Sequence, residues 1–249
     1  MRLIIAALAA CFAMPAYADW SIQSMNQTID QTNFLVNKGC SGTLIDNGLI
    51  LTAAHCVVDQ YETVTRDKIA EDGTVKEEKV RVAKPGTVTQ KTFAGANEIA
   101  STAYVYRITD TDRKLDLALL KVAAHIPATI TAQFACAPLQ RGDTVYAVGN
   151  SFAVLYSSVS KGLVASVQRN YRDLQIAGQL GDATDDGEHG LVQHTAVIAP
   201  GNSGGALYDA DGHFVGVNVR GMPGGFGFAV PLSDVMSFLA RNDVKPVCQ

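Results

Sequence analysis

The strongest constraint on this chain is the shortness of its apolar runs and the turn chemistry between them. The stretch "GTLIDNGLILTAAHC", Gly42 to Cys56, places Asn47-Gly48 between two apolar runs, a strong hairpin signal. "GALYDADGHFVGVNV", Gly205 to Val219, repeats the device at Asp211-Gly212. "DLALLKV", "DTVYAVGN", "KGLVASVQRNY", "GLVQHTAVI" and "GFGFAVPL" add five more strand candidates. Many short strands with glycine-rich turns predict an all-β sandwich or barrel. The best helical pattern is "PLSDVMSFLAR", with Ser233 as the expected N-cap and Val235, Met236, Leu239 and Ala240 as one apolar face. The charged region from Tyr61 to Lys91 reads as an exposed hairpin turning at Gly73. Its Glu71, Asp72, Glu77 and Glu78 lack a calcium-ligand spacing. The polar stretch Ala177 to Gly190 reads as a mobile loop.

The first residues stand apart from this pattern. Arg2 precedes an apolar run, Leu3 to Ala13, and Ala16-Tyr17-Ala18 places small residues where a signal peptidase reads. Residues 1–18 are therefore expected to be a signal peptide, directing the chain to the periplasm or outside the cell. A lipobox-like Leu8 to Cys11 is the alternative, making a lipoprotein at Cys11. No other run is long and apolar enough for a membrane span. The formal net charge of −4 argues against nucleic acid as a partner. With 47% hydrophobic and 18% charged residues the chain can bury a core. Beyond Cys11 the cysteines are Cys40, Cys56, Cys136 and Cys248. An even number in an exported protein suggests two disulfides, among three possible pairings. There is no HExxH and no Cys/His metal spacing, so no metal and no cofactor are expected.

Chemistry concentrates in "APGNSGGAL", Ala199 to Leu207, where three glycines surround Ser203. Glycine costs conformational entropy, so such a cluster needs a local reason, and a backbone N–H brought close to a ligand is one. A hydroxyl is a weak nucleophile until a base takes its proton, and the base is best a histidine oriented by a carboxylate. His55 ends the apolar run "LTAAHC". Asp116 sits at the mouth of the apolar strand "DLALL", an expensive place for an acid without a partner. The N–H groups of Gly201 and Ser203 are the expected oxyanion hole. The remaining histidines, His125, His189, His194 and His213, carry no such context, and the last three are read as surface or packing residues.

Each signal alone is modest, but "TAAHC", "DLALL" and "GNSGG" together, in the order His, Asp, Ser, resemble the three signatures of trypsin-like serine proteases. The resemblance runs from about Gly39 to Leu232. It implies two six-stranded antiparallel β-barrels, about 34–125 and 136–232, followed by a C-terminal helix at about 233–241, all within one peptidase domain from residue 19 to 249. It also implies a catalytic triad of His55, Asp116 and Ser203, a Cys40–Cys56 disulfide beside the histidine, and with it Cys136–Cys248. "GDTVYAVGN" and "GFGFAVPL" are similar to the bacterial HtrA-like branch, although no PDZ domain is expected after Gln249. Trypsins carry Asp before the serine, paired with a new N-terminal amine, and here that residue is Asn202.

The resemblance places Val197 at the base of the specificity pocket, with Asn218, Val219 and Arg220 on the strand that binds substrate backbone and Phe226 on the next. A basic P1 residue would be buried without a counter-charge, so the expectation is a small or medium apolar P1 residue. The alternatives are a glutamyl preference, with Arg220 attracting the acid, and a catalytically silent or latent binding protein on the same fold. The expected partner is a polypeptide substrate.

Overall fold

A computed structural model describes residues 20–70, 74–94, 97–170, 174 and 189–248. The expected signal peptide with its Cys11 alternative, the acids Glu71 and Asp72, Gly73, and most of Ala177 to Gly190 lie outside the described residues. Among the described residues no helix is long and apolar enough to cross a membrane.

The first barrel closes in the order β1-β2-β3-β8-β7-β6. These strands are β1 (Asn33–Val36), β2 (Cys40–Asp46), β3 (Leu49–Thr52), β6 (Gly86–Ala94), β7 (Asn97–Asp112) and β8 (Leu117–Val122). The expected hairpin joins β2 to β3: Asp46 faces Leu49, and Gly48 takes the left-handed φ of 70° that its turn requires. Phe34, Val36, Leu44, Ile50, Val88, Tyr106 and Leu120 fill the interior. A 3-10 segment, Ala54–Gln60, leaves β3 and leads into β4 (Tyr61–Ile69). This strand pairs with β5 (Val75–Ala83) as a separate two-stranded ribbon, the exposed hairpin that the charged sequence predicts.

The second barrel closes in the order β10-β11-β14-β13-β12-β9, again antiparallel. Its strands are β9 (Thr144–Ser151), β10 (Leu155–Asn170), β11 (Gly190–His194), β12 (Ala206–Tyr208), β13 (Phe214–Met222) and β14 (Phe226–Pro231). Its interior uses smaller side chains, including Val145, Ala147, Val164, Val192, Val215 and Ala229. A third cluster joins the barrels: Leu51, Leu117 and Leu119 from the first pack with Tyr146, Val148, Tyr208 and Val217 from the second.

The N-terminal segment, left open by the sequence, belongs to that third cluster. Helix α1 (Ile22–Thr32) is capped by Ser21, whose hydroxyl accepts from the Ser24 N–H at 3.2 Å. It buries Met25, Ile29 and Thr32, one face of a helix. Trp20 is buried against Tyr146 and Tyr208, and its backbone N–H donates to the Ala210 carbonyl at 2.6 Å. Gly212 (φ 86°) lies under the indole, where a Cβ would meet its ring at 2.5 Å. Trp20→Ala is expected to cost about 3–5 kcal/mol in a urea melt.

At the other end, α2 (Leu232–Ala240) follows β14. Ser233 is not its cap. Pro231 holds the N-cap position with extended backbone angles, so Ser233 already lies inside the first turn. The buried face is Val235, Phe238 and Leu239, with Met236 partly buried and Ala240 exposed. Just beyond it, Arg241 reaches across to the first barrel, 3.1 Å from Asp110 and 2.6 Å from Asp112. Burial pushes both carboxyls up, but their hydrogen bonds outweigh it. Asn242, Arg241 and the Thr111 N–H hold Asp110 below the usual 3.8, and the Leu115 N–H and Arg241 do the same for Asp112. Groups depressed in the folded state stabilise it above their ordinary value, and that contribution is lost as pH falls through the depressed one. Arg241 is 44% exposed, so Arg241→Ala should cost only about 1 kcal/mol at pH 7. The gap from wild type should close as thermal melts are taken to progressively lower pH.

Candidate active site

His55 is the second residue of the 3-10 segment that follows β3. Asp116 stands just before β8 with φ 56°, a left-handed conformation that an ordinary residue keeps only when its surroundings hold it. Three contacts do so. The Asp116 carbonyl accepts from the Ala54 N–H at 3.0 Å, Oδ1 accepts from the His55 N–H at 2.9 Å, and Oδ2 lies 2.7 Å from His55 Nδ1. One carboxylate thus fixes both the backbone and the ring of His55. It also assigns the proton to Nδ1 and leaves Nε2 as the basic nitrogen. The Cys40–Cys56 disulfide ties this corner to β2, with Cα atoms 5.9 Å apart, and Cys56 Sγ lies 3.6 Å from the Ser203 carbonyl oxygen. Cys136 pairs with Cys248.

Ser203 follows a tight turn. The Asn202 N–H donates to the Ala199 carbonyl at 3.0 Å, with Pro200 and Gly201 (φ 97°) at the centre, the residue pair that a type II turn favours. Ser41 on β2 grips this turn twice: its N–H donates to the Ser203 carbonyl at 2.8 Å, and its hydroxyl donates to the Gly201 carbonyl at 2.7 Å. The Ser41 oxygen in turn accepts from the Asn150 N–H at 2.7 Å, and Asn33 Nδ2 donates to Asn150 Oδ1 at 3.0 Å. On the far side the Gly204 N–H donates to the Asn218 carbonyl at 2.7 Å, and the Ser203 hydroxyl donates to the Val219 carbonyl at 3.3 Å. The residue after His55 on the first barrel, Cys56, thus lies against the backbone of Ser203 on the second.

The pocket residues separate into two groups. Val219 and Arg220 lie on β13 beside Ser203. Asn218 is fully buried and clamps the loop instead, its N–H donating to the Gly205 carbonyl and its Nδ2 to the Ala206 carbonyl. Val197 is 62% exposed, and its carbonyl accepts from the Ser160 hydroxyl. The next residue, Ile198, turns inward. Its Cγ2 lies 3.1 Å from the Cβ position of Gly221, and its Cγ1 lies 2.6 Å from that of Gly227. Gly221 and Gly227 are direct cross-strand partners, so Ile198 fills the gap that two missing side chains leave. Phe226, opposite Met222 on β13, packs with it on the inter-barrel cluster.

A profile of the trypsin-like peptidase domain matches residues 40–217, which include the His55, Asp116 and Ser203 motifs. The chain belongs to the trypsin-like peptidase family. It is 30% identical over 221 residues to the serine protease HTRA1B of Danio rerio, covering 89% of this chain and 38% of that protein. It is 31% identical to human HTRA3 over 145 residues, 58% of this chain and 30% of that one. The chain thus spans well under half the length of these curated relatives. Among solved structures it resembles "HtrA-type protease AlgW with decapeptide" in fold, with a TM-score of 0.55 at 21% identity over 81% of this chain and 50% of that one.

In this trypsin-like domain the serine turn is held without an acid before the serine. The Ser151 hydroxyl donates to Asn202 Oδ1 at 2.7 Å, in a site where both residues are buried. An amide suits this partner because it accepts without carrying a charge into the interior. Sequence reasoning missed Ser41, Asn150 and Ser151, since a lone Ser or Asn in a strand carries no pattern that reveals a partner more than fifty residues away. Ser151→Ala strips Asn202 Oδ1 of that donor, and a loss of about 1–3 kcal/mol is expected in urea denaturation.

Proposed function

We propose that this chain is an extracytoplasmic serine endopeptidase that hydrolyses peptide bonds through an acyl-enzyme. The observation that carries the reading is the 2.7 Å contact between Asp116 Oδ2 and His55 Nδ1, next to Cys56, whose Sγ lies 3.6 Å from the Ser203 carbonyl oxygen. In this reading His55 Nε2 takes the proton of Ser203 Oγ as it attacks the substrate carbonyl, and passes it to the leaving amine. The N–H groups of Gly201 and Ser203 receive the oxyanion, a role worth a few kcal/mol per donor in the transition state. Water then repeats the sequence to release the acyl group. Asp116 holds the ring and stabilises its charged form.

The P1 preference follows from what closes the pocket. Ile198 occupies the space between Gly221 and Gly227, and it presents methyl groups where a basic side chain would need an acid. A small or medium apolar P1 residue suits that space. The substrate backbone would add along Val219 and Arg220 as an extra strand. Export by the predicted signal peptide agrees with the two disulfides, which persist in oxidising compartments.

The deciding experiment is fluorophosphonate labelling of the purified protein, read by mass spectrometry. The label is expected on Ser203, absent from Ser203→Ala, and slowed at least about a thousand-fold in His55→Ala. Labelling of Ser203→Ala at the wild-type rate would remove the enzymatic reading and leave the silent binding protein.

A further inference from the structure

Under Gly227 lies a group that the proposed chemistry does not use. His194, the last residue of β11, is fully buried at one end of the second barrel, opposite Gly227 of β14 and Val164 of β10. Its ring occupies the place where a side chain on Gly227 would stand: that Cβ position is 2.7 Å from His194 Nε2 and closer still to Cε1. Ile198 Cγ1 meets the same position from the pocket side at 2.6 Å. Imidazole and isoleucine therefore share one space under Gly227.

Histidine is an odd choice for such a site. Both ring nitrogens of His194 and Oδ1 of Asn218 are buried together here, and the polar groups next to the ring are the Asn218 side chain and the Ala196 backbone. Burial, set against the neighbouring Asn218 side chain and Ala196 backbone that favour the charged form, pushes the imidazole down to about 4, so it is neutral near pH 7. The ring is neutral, stands against the Asn218 side chain and the Ala196 backbone, and bears on Ile198 through the space it takes under Gly227.

We propose that His194 is a positioning residue that sets the depth of the P1 pocket: its ring is the prop that keeps Ile198 raised between Gly221 and Gly227. The inference rests on the serine-endopeptidase reading and deepens it. With the prop removed, Ile198 sinks toward the vacated space and the pocket admits longer side chains.

The test is a set of peptides differing only at P1 (Ala, Val, Leu and Phe), cleaved by wild type, His194→Ala, His194→Phe and Ile198→Ala, with fluorophosphonate labelling alongside. Wild type is expected to favour Ala and Val. His194→Ala should move the Leu-to-Val ratio of kcat/KM about ten-fold or more toward Leu, while labelling of Ser203 continues. Ile198→Ala should move it the same way, and His194→Phe, which restores the volume without the nitrogens, should return the wild-type ratio. Should the alanine variant fail to fold, His194→Val removes much of the ring's volume within a strand-forming residue and is held to the same expectation. A folded, labelled His194→Ala or His194→Val with the wild-type ratio overturns the prop. Absence of cleavage and labelling in wild type overturns the endopeptidase reading instead, so the two failures are distinct.

Discussion

The arrangement of the cleft depends on Ser41. Its backbone and hydroxyl hold the Ser203 and Gly201 carbonyls, while its own carbonyl accepts from the Thr52 hydroxyl at 2.6 Å. A residue of the first barrel thus sets the turn that carries the serine of the second. Gly204 makes the approach possible, because a Cβ there would stand 2.9 Å from the Ala53 nitrogen and overlap the Ser41 carbonyl. The hydroxyl is fully buried and satisfied on both sides, by Asn150 as donor and Gly201 as acceptor. A buried polar network of this kind is costly when incomplete and specific when complete.

The same logic explains why the two barrels differ inside. The first is packed with large side chains such as Phe34 and Tyr106, a firm support for the Asp116–His55 corner. The second is lined mainly by Val and Ala, and its end near the cleft is occupied by His194 and Asn218. Asn218 clamps the serine loop there, and the largest apolar cluster among the described residues lies at the joint between the barrels.

Much of this fold was legible in the sequence because its strands are short and their turns chemically explicit. Asn47-Gly48 and Asp211-Gly212 mark two hairpins, and the charged segment after Tyr61 declares its own exposure. Helix α1 was not read. Its buried positions, Met25, Ile29 and Thr32, have helical spacing, but they sit among glutamines and asparagines with little apolar contrast. The His, Asp and Ser motifs were legible because each is a local string. Val197 and Ile198 were not separable, since sequence alone does not say which of two neighbours on an extended segment points inward. The bonds of Ser41, Asn150 and Ser151 arise only in three dimensions.

Trp20 has a consequence for how the molecule is assembled in time. Its seat is made by Tyr146, Tyr208 and the Gly212 turn, all synthesised long after it. The first barrel needs nothing beyond Val122 to close, whereas the segment that precedes it in the chain must wait for the second. Trp20 leaves the ribosome ahead of both barrels and is therefore among the last of the described residues to find its place, and closing so long a loop is a slow, non-local step.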